Sequence, residues 1–231
     1  MINTKTAIRL EMNIFGILKI IKMNILIYGA SGETGHELVE QALLQGHHVT
    51  AFVRNPSKLK ISHQNLKVIQ GDIINYELVE QAVKGQDAVI SALGASSPFK
   101  YDQSVVDGVN NIIKAMETNG VNRFIYMSFI GVKESQNAAG FVIKYIAPIL
   151  LSTEISGHET RENKIRQSQL QWTIVRPPTL TNGNHTMQFR SGVDITSGGF
   201  TVKISRADVA DFMLQQLTDN TFLRKSPRIM Y

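Results

Sequence analysis

Residues 23–35, M-N-I-L-I-Y-G-A-S-G-E-T-G, constrain the fold more tightly than any other stretch of this 231-residue chain. Ile25, Leu26, Ile27 and Tyr28 form a short apolar run of the kind a strand buried on both faces requires. Gly29, Gly32 and Gly35 follow at three-residue spacing, and Leu38, Val39, Ala42 and Leu43 then share one helical face. A strand, a glycine turn and a helix make the first half of a nucleotide-binding unit. Missing Cβ atoms let the backbone approach a pyrophosphate, whose charge meets the free N–H groups of the helix N-terminus. A glycine triplet alone also marks ordinary βα turns; the strand before it and the helix after it are what point to a ligand.

Gly46 is placed to end that helix, and H-H-V-T-A-F-V reads as a second strand finishing at Arg54. This position bears on the nucleotide. A site for NAD places an acidic side chain here to hold the ribose 2′-hydroxyl, whereas a site for NADP places a cation for the 2′-phosphate. Arg54 has the planar fork that suits phosphate, and Ser57 and Lys58 add a hydroxyl and a second charge. A solvated basic loop would read the same way, but its coincidence with this position favours NADP(H).

Further strands are expected over residues 67–69, 87–91, 123–127 and 171–176, with helices over 77–84, 102–119, 153–168 and 205–217. The alternation predicts an α/β fold, a single Rossmann-type doubly wound domain with a mainly parallel sheet over residues 23–231. Asp72 and Ile73 follow the third strand, where the carboxylate can accept from an adenine amino group and the next backbone N–H can donate to the ring. Helix capping by Asp72 or Asn75 is the competing role. Gly94 follows the fourth strand, where it lets backbone approach the cofactor. The fifth strand delivers Ser128 to the same edge, and Pro177-Pro178 fixes the exit of the sixth. The apolar segment over 138–151 is interrupted by Lys144 and Pro148, and is expected to cover the sheet, shape a substrate mouth or meet another subunit. A short edge strand is expected over 228–231.

The totals exclude more than they identify. With no cysteine the chain has no disulfide, no thiolate nucleophile and no cysteine-ligated metal, which fits a reducing, cytoplasmic setting. The six histidines lack zinc spacing, so no metal site is expected. Of the formal net charge of +5, residues 1–22 carry +3 through Lys5, Arg9, Lys19 and Lys22 against Glu11, leaving +2 for the rest. The domain is nearly balanced, and no nucleic-acid partner is expected. Residues 1–22 read as an N-terminal extension before Met23, with an amphipathic surface anchor as the alternative; no membrane span and no secretory signal is expected.

The ordered set G-A-S-G-E-T-G, V-R-N-P-S-K, G-D-I, S-A-L-G-A, Y-M-S and E-N-K-I-R-Q-S-Q-L-Q-W-T-I-V-R-P-P resembles the atypical short-chain dehydrogenase/reductases. The nearest branch looks like the flavin reductase and biliverdin-IXβ reductase type, with NmrA-like proteins as neighbours. The resemblance covers about residues 23–217. It implies that Gly29, Ser31, Gly32, Glu33 and Thr34 line the pyrophosphate, that Arg54 binds the 2′-phosphate, and that Asp72 and Ile73 hold the adenine. It further implies Leu93 and Gly94 along the middle of the cofactor, Ser128 beside the nicotinamide, and Pro177, Pro178 and Thr179 at the far wall.

One departure narrows the chemistry. The Tyr-x-x-x-Lys pair of the wider superfamily is absent, since Tyr28, Tyr76, Tyr101, Tyr126 and Tyr145 all lack a lysine four residues on. Many relatives carry a lysine four residues ahead of the glutamate that Glu162 matches; here that place holds His158. A simple ketone normally needs such a phenol as general acid. A flavin, quinone or conjugated tetrapyrrole delocalises its charge and can take a proton from water. Ser128 and His158 are the candidates for a residual catalytic role, against bland roles as a nicotinamide contact and a solvated histidine. The expected function is an NADPH-dependent reductase passing hydride to a small-molecule acceptor, as a monomer or homodimer. The alternative is a regulator that binds NADP(H) without turnover. A nucleotide-sugar epimerase or dehydratase fits less well, lacking the tyrosine–lysine pair and having only 55 residues after Arg176.

Overall fold

The computed structural model describes residues 21–94, 101–138, 140–197 and 199–231. Most of the N-terminal extension, Ala95 after the fourth strand, and Ala139 and Gly198 lie outside the described residues.

Helices and strands alternate from the start: β1 (Asn24–Tyr28), α1 (Glu33–Leu44), β2 (His48–Val53), β3 (Leu66–Gln70), α2 (Tyr76–Val83), β4 (Ala88–Ser91), α3 (Gln103–Asn119), β5 (Arg123–Met127). A π-helical turn (Val142–Ile146) and the short α4 (Ala147–Leu150) lead into α5 (Ser152–Gln167) and β6 (Gln171–Val175). Short strands β7 (Thr179–Thr181), β8 (Arg190–Gly192) and β9 (Lys203–Ser205) precede α6 (Arg206–Gln215) and β10 (Arg228–Met230). The central sheet has the order β3-β2-β1-β4-β5-β6 with every neighbour parallel. That is the doubly wound arrangement read from the sequence, and it brings all six strand exits to one edge.

Strand β1 shows why both faces must be covered. Ile25 and Ile27 join a core with Leu38, Val39 and Ala42 of α1 and Val209, Phe212 and Met213 of α6. Leu26 and Tyr28 face the other way, into a core with Val79 of α2 and Val109, Ile112 and Met116 of α3. Gly46 (φ +82°) follows α1 in the left-handed conformation; its N–H donates to Leu43 O and that of His47 to Ala42 O. This Schellman pairing turns the chain straight into β2.

The apolar segment over 138–151 splits its surface. Ile143 joins a small third cluster with Ile130, Val202 and Met230, while Phe141 stacks on Phe200 at 5.6 Å and, with Tyr145, Ile149 and Leu150, stays exposed. The last strand is antiparallel to β8, and its approach also bonds to β6, with Arg176 N–H donating to Pro227 O at 2.9 Å.

Asp208 ties the irregular loops to this frame. Its fully buried carboxylate accepts from Thr186 N (2.8 Å), Thr186 Oγ1 (2.7 Å), Met187 N (2.8 Å) and the Tyr231 hydroxyl (2.7 Å). Burial pushes the carboxyl up, but the bonds from Thr186, Tyr231 and Met187 outweigh it and hold it below the ordinary 3.8. Its contribution is therefore complete above pH 3.8 and is lost as pH falls through the depressed value. Asp208→Asn should lower stability by roughly 1–3 kcal/mol at neutral pH, read by urea unfolding. An unchanged midpoint would show that the loops do not depend on this carboxylate.

Candidate active site

The glycine turn is built by two close approaches. A Cβ on Gly35 would lie 2.0 Å from Gly29 O, so the first turn of α1 packs directly onto the turn that precedes it. Gly29 (φ +76°) itself lies so near the end of β4 that a Cβ would meet Ala92 O at 2.7 Å. Helix α1 starts at Glu33 behind Gly32 with no side-chain cap, which leaves its first N–H groups for a ligand.

A cleft of about 270 Å³ runs along this edge. Its lining includes Gly29, Ser31 and Gly32 of the turn, Arg54 and Lys58 after β2, and Asp72, Ile73, Leu93 and Gly94. These are residues that the sequence reading named. The cleft also takes in Phe52, Val53, Gly71, Ala92, Asp102, Ser104 and Val105, which periodicity could assign only to strands and to the start of a helix. Arg54 and Lys58 form no ion pair with a carboxylate among the described residues and share the cleft lining with Asp72 and Asp102. Ser57 is on the neighbouring turn rather than the cleft wall, and its hydroxyl donates to Asn55 Oδ1 at 2.8 Å. The capping question at Asp72 resolves in favour of Asn75, which accepts from Leu78 N–H at 3.1 Å, while Asp72 Oδ1 accepts from Ile74 N–H in a local turn.

The remaining named residues lie off this cleft wall. Thr34 is buried within α1, and Glu33 turns its side chain away to Arg206. Pro177 and Pro178 are buried, and Thr179 opens β7 with its N–H on Val202 O. Residues 128–130 extend the β5–β6 pairing beyond the strand, Ser128 N–H donating to Val175 O at 2.7 Å and Ile130 N–H to Pro177 O at 3.0 Å. The serine is thus held at the carboxyl edge, as expected.

Behind Ser128 is a charged network that the sequence reading reached only in part. Ser128 Oγ donates to Glu162 Oε1 at 2.6 Å and lies 3.3 Å from His158 Nδ1. Glu162 is gripped by Arg176, from Nε to Oε1 at 3.1 Å and from Nη2 to Oε2 at 2.6 Å. Arg176 Nη2 also reaches Glu134 at 2.7 Å, and Arg166 bonds both glutamates. On the far side, His158 Nε2 lies 3.1 Å from Glu154 Oε1, which Arg161 also holds at 3.1 Å. The i,i+4 spacings of Glu154–His158 and Glu162–Arg166 were legible in the sequence. Arg161 and Arg176 were not, because a buried arginine looks like a surface one until its partner is placed.

The network fixes the protonation pattern. Arg176 is buried and its fork gives Glu162 two hydrogen bonds, so that each buried partner has its polar atoms engaged. Ser128 therefore spends its single proton on a carboxylate, the stronger acceptor at the shorter distance. His158 is buried, contrary to the solvated-helix alternative. Desolvation lowers its pKa below 6.5, and the bond to Glu154 opposes that shift without reversing it. The neutral ring keeps its proton on Nε2, facing Glu154. Stability from this neutral histidine is present above pH 6.5 and falls away as the pH drops towards the depressed value. An NMR titration should place the His158 midpoint below 6.5, and Glu154→Gln should lower it further. A midpoint above 6.5 would mean that the ring is a buried imidazolium.

Among the described residues no cluster suits a metal ion, and no helix is long and apolar enough to cross a membrane. A family model described as NAD(P)H-binding matches residues 29–220. The chain is 27% identical over 202 residues to the uncharacterized protein YwnB of Bacillus subtilis, covering 84% of this chain and 92% of that protein. It is 38% identical over 128 residues to the 3 beta-hydroxysteroid dehydrogenase/Delta 5-->4-isomerase of Mycobacterium tuberculosis, spanning half of this chain and 34% of that enzyme. A short-chain dehydrogenase/reductase of Veillonella parvula, solved in complex with NADP, has the same fold, with a TM-score of 0.73 at 24% identity over 90% of this chain and 94% of that one. A match over most of the chain, spanning the glycine turn and the strand exits that build the cleft, makes this chain a member of the NAD(P)H-binding family.

Proposed function

We propose that the protein is an NADPH-dependent reductase that passes hydride to a planar acceptor able to delocalise charge, of the flavin, quinone or tetrapyrrole kind. The cofactor preference is supported by Arg54 and Lys58, two cations in the cleft lining just after β2 that form no ion pair with a carboxylate among the described residues. In this reading they hold the 2′-phosphate, and Asp72 and Ile73 receive the adenine. The turn from Gly29 to Thr34 faces the diphosphate with backbone, and Leu93 and Gly94 line the middle of the cofactor. Ser128 lies beside the nicotinamide, with Pro177, Pro178 and Thr179 closing the far wall. When bound, NADPH supplies the hydride.

The observation that carries the acceptor class is the anchored hydroxyl of Ser128. Releasing that proton would leave an alkoxide 2.6 Å from a carboxylate oxygen of Glu162, which Arg176 also engages. Two adjacent negative charges make the serine a poor acid. His158, neutral and with its proton directed at Glu154, offers no proton to Ser128 either. Both residues then orient the reactants, and the proton reaches the reduced acceptor from water. An acceptor whose charge is delocalised tolerates this, whereas a simple ketone does not.

Two measurements test the proposal. Arg54→Glu should weaken NADPH binding by roughly 10- to 100-fold and leave NADH binding nearly unchanged, read by fluorescence titration. Equal loss for both nucleotides would remove Arg54 from the 2′-phosphate. In steady-state oxidation of NADPH with FMN, FAD and quinones, Ser128→Ala should lower kcat/KM by less than about tenfold, against the 10²- to 10⁴-fold typical of a lost acid. Turnover of none of these acceptors, with NADPH still bound, would favour the cofactor-sensing regulator instead.

A further inference from the structure

A second cleft, about 380 Å³, opens on the other side of the glycine turn between Glu33, Asn182, Gly183 and Arg206. Ser31 and Gly32 line both clefts, so the two meet along the turn itself. Across this junction Arg206 Nη2 lies 2.7 Å from Glu33 Oε2, and Arg206 Nη1 donates to Asn182 Oδ1 at 2.7 Å. The two partners are unequally shielded: the arginine side chain is 21% exposed and the glutamate 64%. The base of Arg206 is rigid, because it opens α6 directly after the cap formed by Ser205 on Asp208 N–H. Gln41 Nε2 donates to Ala207 O at 3.0 Å, which locks that first turn of α6 against α1.

A carboxylate at the first position of α1 is favourable while the helix N-terminus is empty. It becomes repulsive once a diphosphate occupies the turn. A guanidinium, by contrast, gains by exchanging a single carboxylate for a more highly charged, bidentate phosphate partner. Resting on the dinucleotide reading above, we propose that Arg206 is a second cationic ligand of the cofactor, engaging its diphosphate. In the free protein Glu33 holds Nη2; on binding, Nη2 passes to phosphate oxygen and Glu33 is released to solvent. Asn182 keeps Nη1 throughout, so the fork pivots about one fixed bond rather than becoming free. Binding is then a charge exchange on one arginine, and Glu33 acts as an internal competitor of the ligand.

A merely structural ion pair predicts the opposite sign for the glutamate variant, and this makes the proposal testable. Calorimetric titrations would use NADP⁺, NAD⁺ and adenosine 2′-monophosphate, the last carrying the 2′-phosphate but no diphosphate. Glu33→Gln should tighten both dinucleotides by about three- to tenfold, and Arg206→Ala should weaken them by about tenfold or more. Arg206→Lys should restore only part of the loss, because lysine lacks the fork. Adenosine 2′-monophosphate should bind all variants alike. Weaker or unchanged dinucleotide binding in Glu33→Gln would overturn the proposal, as would a parallel shift with adenosine 2′-monophosphate. Should Arg206→Ala unfold, Glu33→Gln at its exposed position still decides. A wild-type protein that binds neither dinucleotide would sink the cofactor reading and this proposal together; one that binds with unaffected variants would sink this proposal alone.

Discussion

Everything at the carboxyl edge of the sheet depends on how closely α1 packs against the turn that precedes it. Gly35 places the helix backbone on Gly29 O, and Gly29 in turn sits against the end of β4. Neither contact has room for a Cβ, so three chain segments are held at backbone-to-backbone distance with no adjustable side chain between them. The parallel order of the sheet then does the rest. With β4 and β5 on one flank of β1 and β2 and β3 on the other, the strand exits must converge on that turn. The cleft is a consequence of topology first and of side chains second.

Much of this was legible in the sequence because it depends on backbone rules. Apolar runs gave the buried strands, the glycines gave the turn, and Val105, Val109, Ile112 and Met116 gave the buried face of α3. Arg54 could be placed at the cleft because its distance from the glycine motif is set by one helix and one strand. The surroundings of Ser128 were harder. Helix α5 is so polar that its spacing suggests a solvated surface, yet it buries His158, Arg161 and Glu162. Their burial becomes intelligible only when Arg176 arrives from β6, because a buried charge is tolerated when its counter-charge comes from elsewhere in the chain. The role of Arg206 was unreadable for the same reason. Its partner Glu33 lies far away in sequence, and the α1–α6 packing brings the two together.

The network also explains how a dehydrogenase-like fold is held in shape without the tyrosine–lysine pair. Glu162 binds Ser128, Arg166 and Arg176 at once, joining the β5 exit, α5 and the β6 exit through one carboxylate. Such a hub is rigid, because moving one buried member costs the others a charge-assisted hydrogen bond. It gives the carboxyl edge geometric definition and commits the Ser128 hydroxyl to Glu162.

That rigidity limits which changes the chain can accumulate one at a time. A lysine at position 158 would stand between the guanidinium of Arg161, which disfavours a positive charge there, and the carboxylates of Glu154 and Glu162, which favour one. Losing Glu162 would leave the buried guanidinium of Arg176 with Glu134 alone, and losing Arg176 would leave the Glu162 carboxylate with Arg166 and Ser128. The inward-facing charges of α5 are tied through Glu162 to the exits of β5 and β6, so a change at one of them is felt at both strand ends at once.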